Sequence, residues 1–160
     1  MVWNISGYDV LIDDEDYERL KGFKYYIHAR SVRDWSKYYF WRNITIGGIR
    51  TITRLHRDIM GCVYKDGTLV DHKDGNTLDN RKVNLRLSTH AENTQNQKLR
   101  KNSKSGVKGV SWTKSRHKWL AQIIANGKHV YLGYHTDIKD AEAAYAKASK
   151  ELHGEFSRLK

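Results

Sequence analysis

Residues 70–96, VDHKDGNTLDNRKVNLRLSTHAENTQN, decide how the chain is read. Thr68-Leu69-Val70 predicts a short strand, with Asp71 and His72 at its end. Lys73-Asp74-Gly75-Asn76 supplies turn chemistry, because Asp and Asn side chains bond nearby backbone and Gly tolerates positive φ. Val83, Leu85 and Leu87 alternate with polar residues and predict a second strand. Ser88 or Thr89 predicts a helix cap, with Glu92 at capping-box spacing from Thr89 and the helix starting near His90. Asp74 and Asp79 read as loop formers. The order is strand, loop, strand, helix.

The DHKDGN…NLR…N run in this order resembles the HNH nuclease motif and its ββα-metal fold, as carried by phage HNH homing endonucleases. The resemblance implies a role for each matching residue. Asp71 would be the first metal ligand and His72 the general base that activates water. Asn84 would tie the loop together and orient the His. Asn93 would be the second protein ligand, with His90, on the same helical face, as the alternative. Such chemistry needs a charge stabiliser on the departing oxygen, which a hard divalent cation on oxygen ligands supplies. It also needs a base that is neutral near pH 7, which histidine supplies. The expected ion is one Mg2+ or Mn2+, and the lone Cys62 argues against a structural zinc site or an internal disulfide.

The formal charge of +11 is unevenly spread. Residues 97–160 carry fourteen Lys/Arg against five Asp/Glu, whereas residues 59–96 are balanced at five each. A basic excess confined to the last third predicts a polyanionic partner, here double-stranded DNA, with a solvated face as the plain alternative. No run approaches the ~18 apolar residues of a membrane span. The start, MVWNISGYDV, lacks the layout of a signal peptide. The expected setting is the cytoplasm of a phage's bacterial host, and the expected state a monomer, with a dimer on DNA as the alternative.

Ahead of the motif, Tyr8–Ile12 predicts a strand, and Asp13-Asp14-Glu15-Asp16 the acidic start of a helix running to Lys21. Phe23–Ala29, Lys37–Ile46 and Ile49–Thr53 predict strands, the last two joined by a Gly47-Gly48 hairpin turn. Trp35, Tyr38, Tyr39, Phe40 and Trp41 read as core packing or as a base-stacking platform. Arg54–Met60 predicts a short helix, and its LHR-IMG pattern extends the resemblance to phage HNH proteins. His56 there either packs beneath the motif or touches a phosphate. Arg57 and Arg81 are candidate phosphate contacts, with ordinary surface arginine as the alternative.

Residues 98–108, KLRKNSKSGVK, read as a basic tether without apolar periodicity. Beyond it, Val107–Trp112, Lys118–Ala125 and Lys128–Gly133 predict three strands, with an Asn126-Gly127 hairpin turn. Thr136 or Asp137 caps a helix to His153, with Ile138, Ala141, Ala144, Tyr145, Ala148 and Leu152 as its apolar stripe. KGVSW, KWLAQI, VYLG and AEAAYAKAS…HGEFS resemble the ethylene-response-factor (APETALA-type) DNA-binding domain, whose sheet enters the major groove. The resemblance implies Lys108, Lys118, Gln122, Lys128 and Tyr131 as DNA readers. Lys108 would need a bulge near Gly109 to face outward. Ser111 and Thr113 depart from the arginines usual in that family, so GC-box specificity is not expected.

The expected fold is therefore α+β. An HNH domain over 1–98 (ββα-metal core about 68–98) precedes a basic linker over 99–106 and an APETALA/ERF-type domain over 107–160. The expected activity is metal-dependent hydrolysis of duplex DNA, nicking one strand or cutting both, as in homing endonucleases. A catalytically silent DNA-binding regulator is the rival.

Overall fold

The computed structural model describes residues 1–29, 38–99 and 102–159. Trp35 lies outside them. The described elements are α-helices and strands gathered in small antiparallel sheets, an α+β fold. The chain divides into two compact units, 1–89 and 90–160. Among the described residues no helix is long and apolar enough to cross a membrane.

In the first unit, β1 (Val2–Ile5) and β2 (Tyr8–Leu11) form an antiparallel ribbon. Its tight turn is Ser6-Gly7, both at positive φ. The strand β1 escaped the sequence reading, because four residues around a Ser-Gly pair give little alternation. Helix α1 (Asp14–Leu20) follows, with three acidic residues in its first turn facing the positive end of the helix dipole. Strands β3 (Tyr26–Ala29), β4 (Tyr38–Ile46) and β5 (Ile49–Arg54) make an antiparallel sheet. Gly47 and Gly48 both have positive φ, the requirement of a type I′ turn. Tyr38 and Phe40 are buried while their neighbours Tyr39 and Trp41 are only partly so. That alternation puts the first pair in the core with Val10, Ile12, Leu20 and Leu55. Helix α2 (Leu55–Ile59) and the hairpin β6 (Leu69–His72) with β7 (Leu85–Ser88) complete the unit.

The hairpin departs from the expected alternation. Only Leu85 of the three apolar residues is buried, while Val83 is 72% and Leu87 52% exposed. Residues 81–85 form a helical turn, Leu85 N–H donating to the Arg81 carbonyl at 3.1 Å, so the strand starts later than the pattern implies. The interior beside Leu85 is given to Arg86, which is buried against Asp71.

In the second unit, α3 (His90–Gln95) precedes β8 (Val110–Thr113), β9 (Lys118–Ala125) and β10 (Lys128–His135), with β9 central. Helix α4 (Ile138–His153) is capped by Asp137, whose carboxylate accepts from the Lys139 N–H at 2.8 Å. It packs Ala141, Tyr145 and Ala148 onto Val110, Ala121 and Ile123. The stripe shifts at its last turn: Leu152 is 47% exposed and His153 takes the buried place. His153 spends Nε2 on the Ile124 carbonyl at 2.9 Å. Gly109 has φ +69 and sits against the Tyr145 ring, where a Cβ would come within 2.1 Å of it.

Candidate active site

Strand pairing sets the first geometry. In the β6–β7 register Asp71 faces Arg86 and His72 faces Leu85. Cross-strand partners share a face, so Asp71 meets a guanidinium. Arg86 donates to Asp71 Oδ2 through Nε at 3.0 Å and a terminal nitrogen at 2.8 Å, and both side chains are 8% exposed. A buried carboxylate is thus held by a buried cation. The sequence reading gave Arg86 no role, since alternation alone turns it toward solvent.

The loop after His72 closes on itself. Gly75, at φ +73, donates its N–H to the His72 carbonyl at 2.8 Å. The carboxylate of Asp74 accepts from the Asn76 N–H, and the Asn76 side chain accepts from the Leu78 N–H, consecutive Asx turns. Asn84 spans the loop: its Oδ1 accepts from Asp74 N–H at 3.2 Å, and its Nδ2 donates to the Asp79 carbonyl at 2.9 Å. One buried amide joins both limbs of the loop.

His72 is buried, with Nε2 at 3.3 Å from Asn80 Oδ1. Burial lowers its pKa, opposed by the Asn80 contact and by Asp71, Asp74 and Asp79. Its ring meets that of His56 edge-on, centroids 5.4 Å apart, and Tyr39 stands 5.6 Å from His56. His56 is buried from α2, and burial, then the charges of His72, Arg54 and Arg57, push its pKa well below the usual histidine value. Both rings are therefore neutral at pH 7.

The N-terminal ribbon holds the same loop from the other side. Leu11 bridges Asp79 in parallel register, donating to the Leu78 carbonyl and accepting from the Asn80 N–H, both at 2.8 Å. Lys82 N–H donates to Asp13 at 2.8 Å, and its ammonium pairs with Glu15 and Asp16 of α1.

The two candidate phosphate arginines are engaged within the unit. Arg57 donates to the carbonyls of Thr68 and Val63 and to Asp66, closing the 63–68 loop. Arg81 forms a two-pronged pair with Asp79 at 2.8 and 2.6 Å, which lowers the Asp79 pKa.

Asn93 and His90 lie on α3, described with the second unit, Asn93 half-buried and His90 exposed. Among the described residues no three His, Cys, Asp or Glu side chains converge as a metal cluster. The donor set named by the motif, the Asp71 carboxylate and the Asn93 amide, is of the hard oxygen type that suits Mg2+ or Mn2+ and leaves positions for water and phosphate.

On the second unit, register sorts the candidate readers. Lys118 and Gln122 share one face of β9, and Tyr131 lies opposite Gln122 on the same face. Lys128 lies opposite Ala125, on the face that receives α4. Lys108 turns inward: its ammonium donates to the carbonyls of Gln95, Gln97 and Arg158 at 2.6, 2.8 and 3.1 Å, and burial lowers its pKa. Two residues that the sequence reading missed join the open face. Tyr134 lies opposite Leu120, 5.6 Å from Tyr131, and the Arg116 guanidinium stacks over it at 4.7 Å. Simple alternation puts Tyr134 with Leu132 on the core side. A bulge between Tyr131 and Gly133 reverses that parity. A cavity of about 480 Å3 in this unit is lined in part by Gln122, Tyr145 and His153.

The sequence profile described as HNH endonuclease matches residues 59–95. The chain is 39% identical over 95 residues to Protein 3.8 of Escherichia phage T7, covering 59% of this chain and 77% of that protein. It is 35% identical over 109 residues to an uncharacterised HNH endonuclease of Acanthamoeba polyphaga mimivirus. That match covers 65% of this chain and 55% of the viral protein, so the chain spans about half the length of this relative. No solved structure matches significantly. The matched segment runs from α2 into α3 and so contains the Asp71–Arg86 pair, His72 and the Asn84-clamped loop; the chain belongs to the HNH endonuclease family.

Proposed function

We propose that the protein is a metal-dependent endonuclease that hydrolyses phosphodiester bonds of duplex DNA, brought to its substrate by the sheet of the second unit. The observation that carries this reading is a buried His72, its pKa lowered by that burial, adjacent to a carboxylate fixed by Arg86 and followed by a loop clamped by Asn84. A neutral imidazole can accept a proton at physiological pH, so His72 would deprotonate the attacking water. Asp71 and Asn93 would hold one divalent ion, which when bound supplies positive charge to the scissile phosphate and its leaving oxygen. Arg86 keeps the Asp71 carboxylate oriented, and Asn84 keeps the loop from opening. Attack in line on phosphorus would leave 5′-phosphate and 3′-hydroxyl ends, as the resemblance to HNH homing endonucleases implies.

Support for the DNA-binding role of the second unit comes from its charge and its open face. Residues 97–160 carry the basic excess. Lys118, Gln122 and Tyr131, joined by Arg116 and Tyr134, present cations, an amide and aromatic rings together. Gln can address adenine through two bonds, and Lys and Arg address phosphate or guanine. Lys128 would contribute from the rim of the sheet.

Relaxation of supercoiled plasmid with Mg2+ or Mn2+, with a chelator control, tests the reading. His72→Ala should slow cleavage about 10²- to 10⁴-fold, the usual contribution of a general base, with DNA binding retained. Equal cleavage by variant and parent would remove His72 from the chemistry. Binding without cleavage by the parent protein under every ion would favour a silent regulator.

A further inference from the structure

The Asn80 amide has no role in the chemistry above, yet its side-chain oxygen lies against Nε2 of His72. Asn80 is 1% exposed, and its own N–H is tied to the Leu11 carbonyl of β2 at 2.8 Å. Its Nδ2 lies 3.0 Å from the Thr77 carbonyl. A carbonyl oxygen only accepts, so that end of the amide is the nitrogen and the opposite end the oxygen. The oxygen is the atom 3.3 Å from His72 Nε2. An amide oxygen cannot donate, so this contact is a hydrogen bond only when Nε2 carries the hydrogen. In a neutral ring the lone pair then resides on Nδ1. The opposite tautomer would bring two acceptors together in a buried place, at the full penalty of unsatisfied polar groups.

We propose that Asn80 is a positioning residue that holds His72 in the tautomer protonated at Nε2, leaving Nδ1 as the atom that takes a proton from water. The first clause stands on geometry alone; the second rests on the nuclease reading. In the step, the water's proton passes to Nδ1 and its oxygen bonds to phosphorus. The bond from phosphorus to the 3′ oxygen breaks, and that oxygen takes a proton from solvent. The ring becomes an imidazolium with hydrogen on both nitrogens, and the Nε2–H bond to Asn80 becomes charge-assisted and stronger. Asn80 thus stabilises the base more after it has acted than before. The edge-on His56 ring at 5.4 Å packs against the same imidazole.

Nitrogen-15 spectra of histidine-labelled, metal-free full-length protein test this above the ordinary histidine titration range. His72 should show the shift pattern of a ring protonated at Nε2. Asn80→Leu should mix the two tautomers and lower kcat about 10- to 100-fold with KM unchanged, the range seen when the partner orienting a site histidine is lost. Asn80→Asp, which keeps an acceptor oxygen, should preserve the Nε2-protonated pattern. A parent protein whose His72 is protonated at Nδ1 overturns the proposal, as does a folded Asn80→Leu protein with an unaltered pattern. The parent spectrum decides the matter even where the leucine variant does not fold. No cleavage enters that measurement, so a protein that never nicks DNA would remove the nuclease reading while leaving the tautomer result intact.

Discussion

Replacing Arg86 by methionine isolates the ion pair that holds Asp71. Both partners are 8% exposed, and two bonds from Arg86, at 2.8 and 3.0 Å, converge on one carboxylate oxygen. Methionine matches much of the arginine stem but offers no donor, so the Asp71 carboxylate loses its cation inside the protein. Removing one partner of a buried pair typically destabilises by about 3–5 kcal/mol. For a unit of 60–100 residues each kcal/mol shifts the melting temperature by about 4–8 °C, so a fall of roughly 12–40 °C is expected in the first unit. Circular dichroism melts of parent and Arg86→Met protein read this directly. Asp71→Asn in the same background should recover part of the loss, because no charge then remains unpaired. Saturating Mg2+ should also recover part of it, by placing a different cation on the carboxylate. An Arg86→Met protein within about 1 kcal/mol of the parent, with no coupling in the double variant, would refute the reasoning.

Three further outcomes follow from the geometry. His56 is neutral in the fold with its pKa pushed well down, whereas in the unfolded chain it titrates near ~6.5. The unfolded state then binds more protons below that value, so stability should be full above ~pH 6.5 and fall as pH drops toward ~5. His72 adds to this in the same direction. His56→Phe should flatten the dependence of the urea midpoint on pH, and parallel curves would argue against a neutral buried ring. Gly109→Ala combines positive φ with a Cβ 2.1 Å from the Tyr145 ring, and should destabilise the second unit by about 2–4 kcal/mol in denaturant titrations. A change under about 0.5 kcal/mol would mean that Tyr145 moves aside freely. Lys118→Ala should lower the log-log slope of DNA affinity against salt by ~0.9 if its ammonium contacts one phosphate. An unaltered slope would remove Lys118 from the interface.

How far the sequence carried depended on whether the structure is set by local or by cross-chain chemistry. Gly47-Gly48 and Asn126-Gly127 announce their turns, because few other dipeptides tolerate positive φ at both positions. The acidic start of α1 and the Asp137 cap of α4 are local too. The departures arise where a partner distant in sequence intervenes. Leu87 has the periodicity of a core residue and shares a face with the buried Leu85 but is exposed, while Arg86 on the opposite face is buried against Asp71. Tyr134 counts as a core position until the bulge beside Gly133 reverses its face. Lys108 resembles a DNA reader until three carbonyls claim its ammonium. In the candidate site, Asp71, His72 and Asn84 were singled out by their motif. Asn80 received no role there, since nothing in the letters DN tells a turn former from a side chain aimed at an imidazole. His56 was legible as a buried histidine but not as a ring set against His72.

The bond between Leu11 and Asn80 bears on how much of the chain the loop after His72 depends on. The stretch that matches the family profile starts at residue 59, yet the backbone that anchors Asn80, and through it the His72 ring, comes from the opening ribbon. A graft of residues 59–95 into another scaffold would carry the signature letters and leave behind the hand that steadies them. Relatives that keep the signature under a different amino-terminal segment must brace that loop by some other contact, and swapping the ribbons between two such proteins would reveal which pairs are compatible.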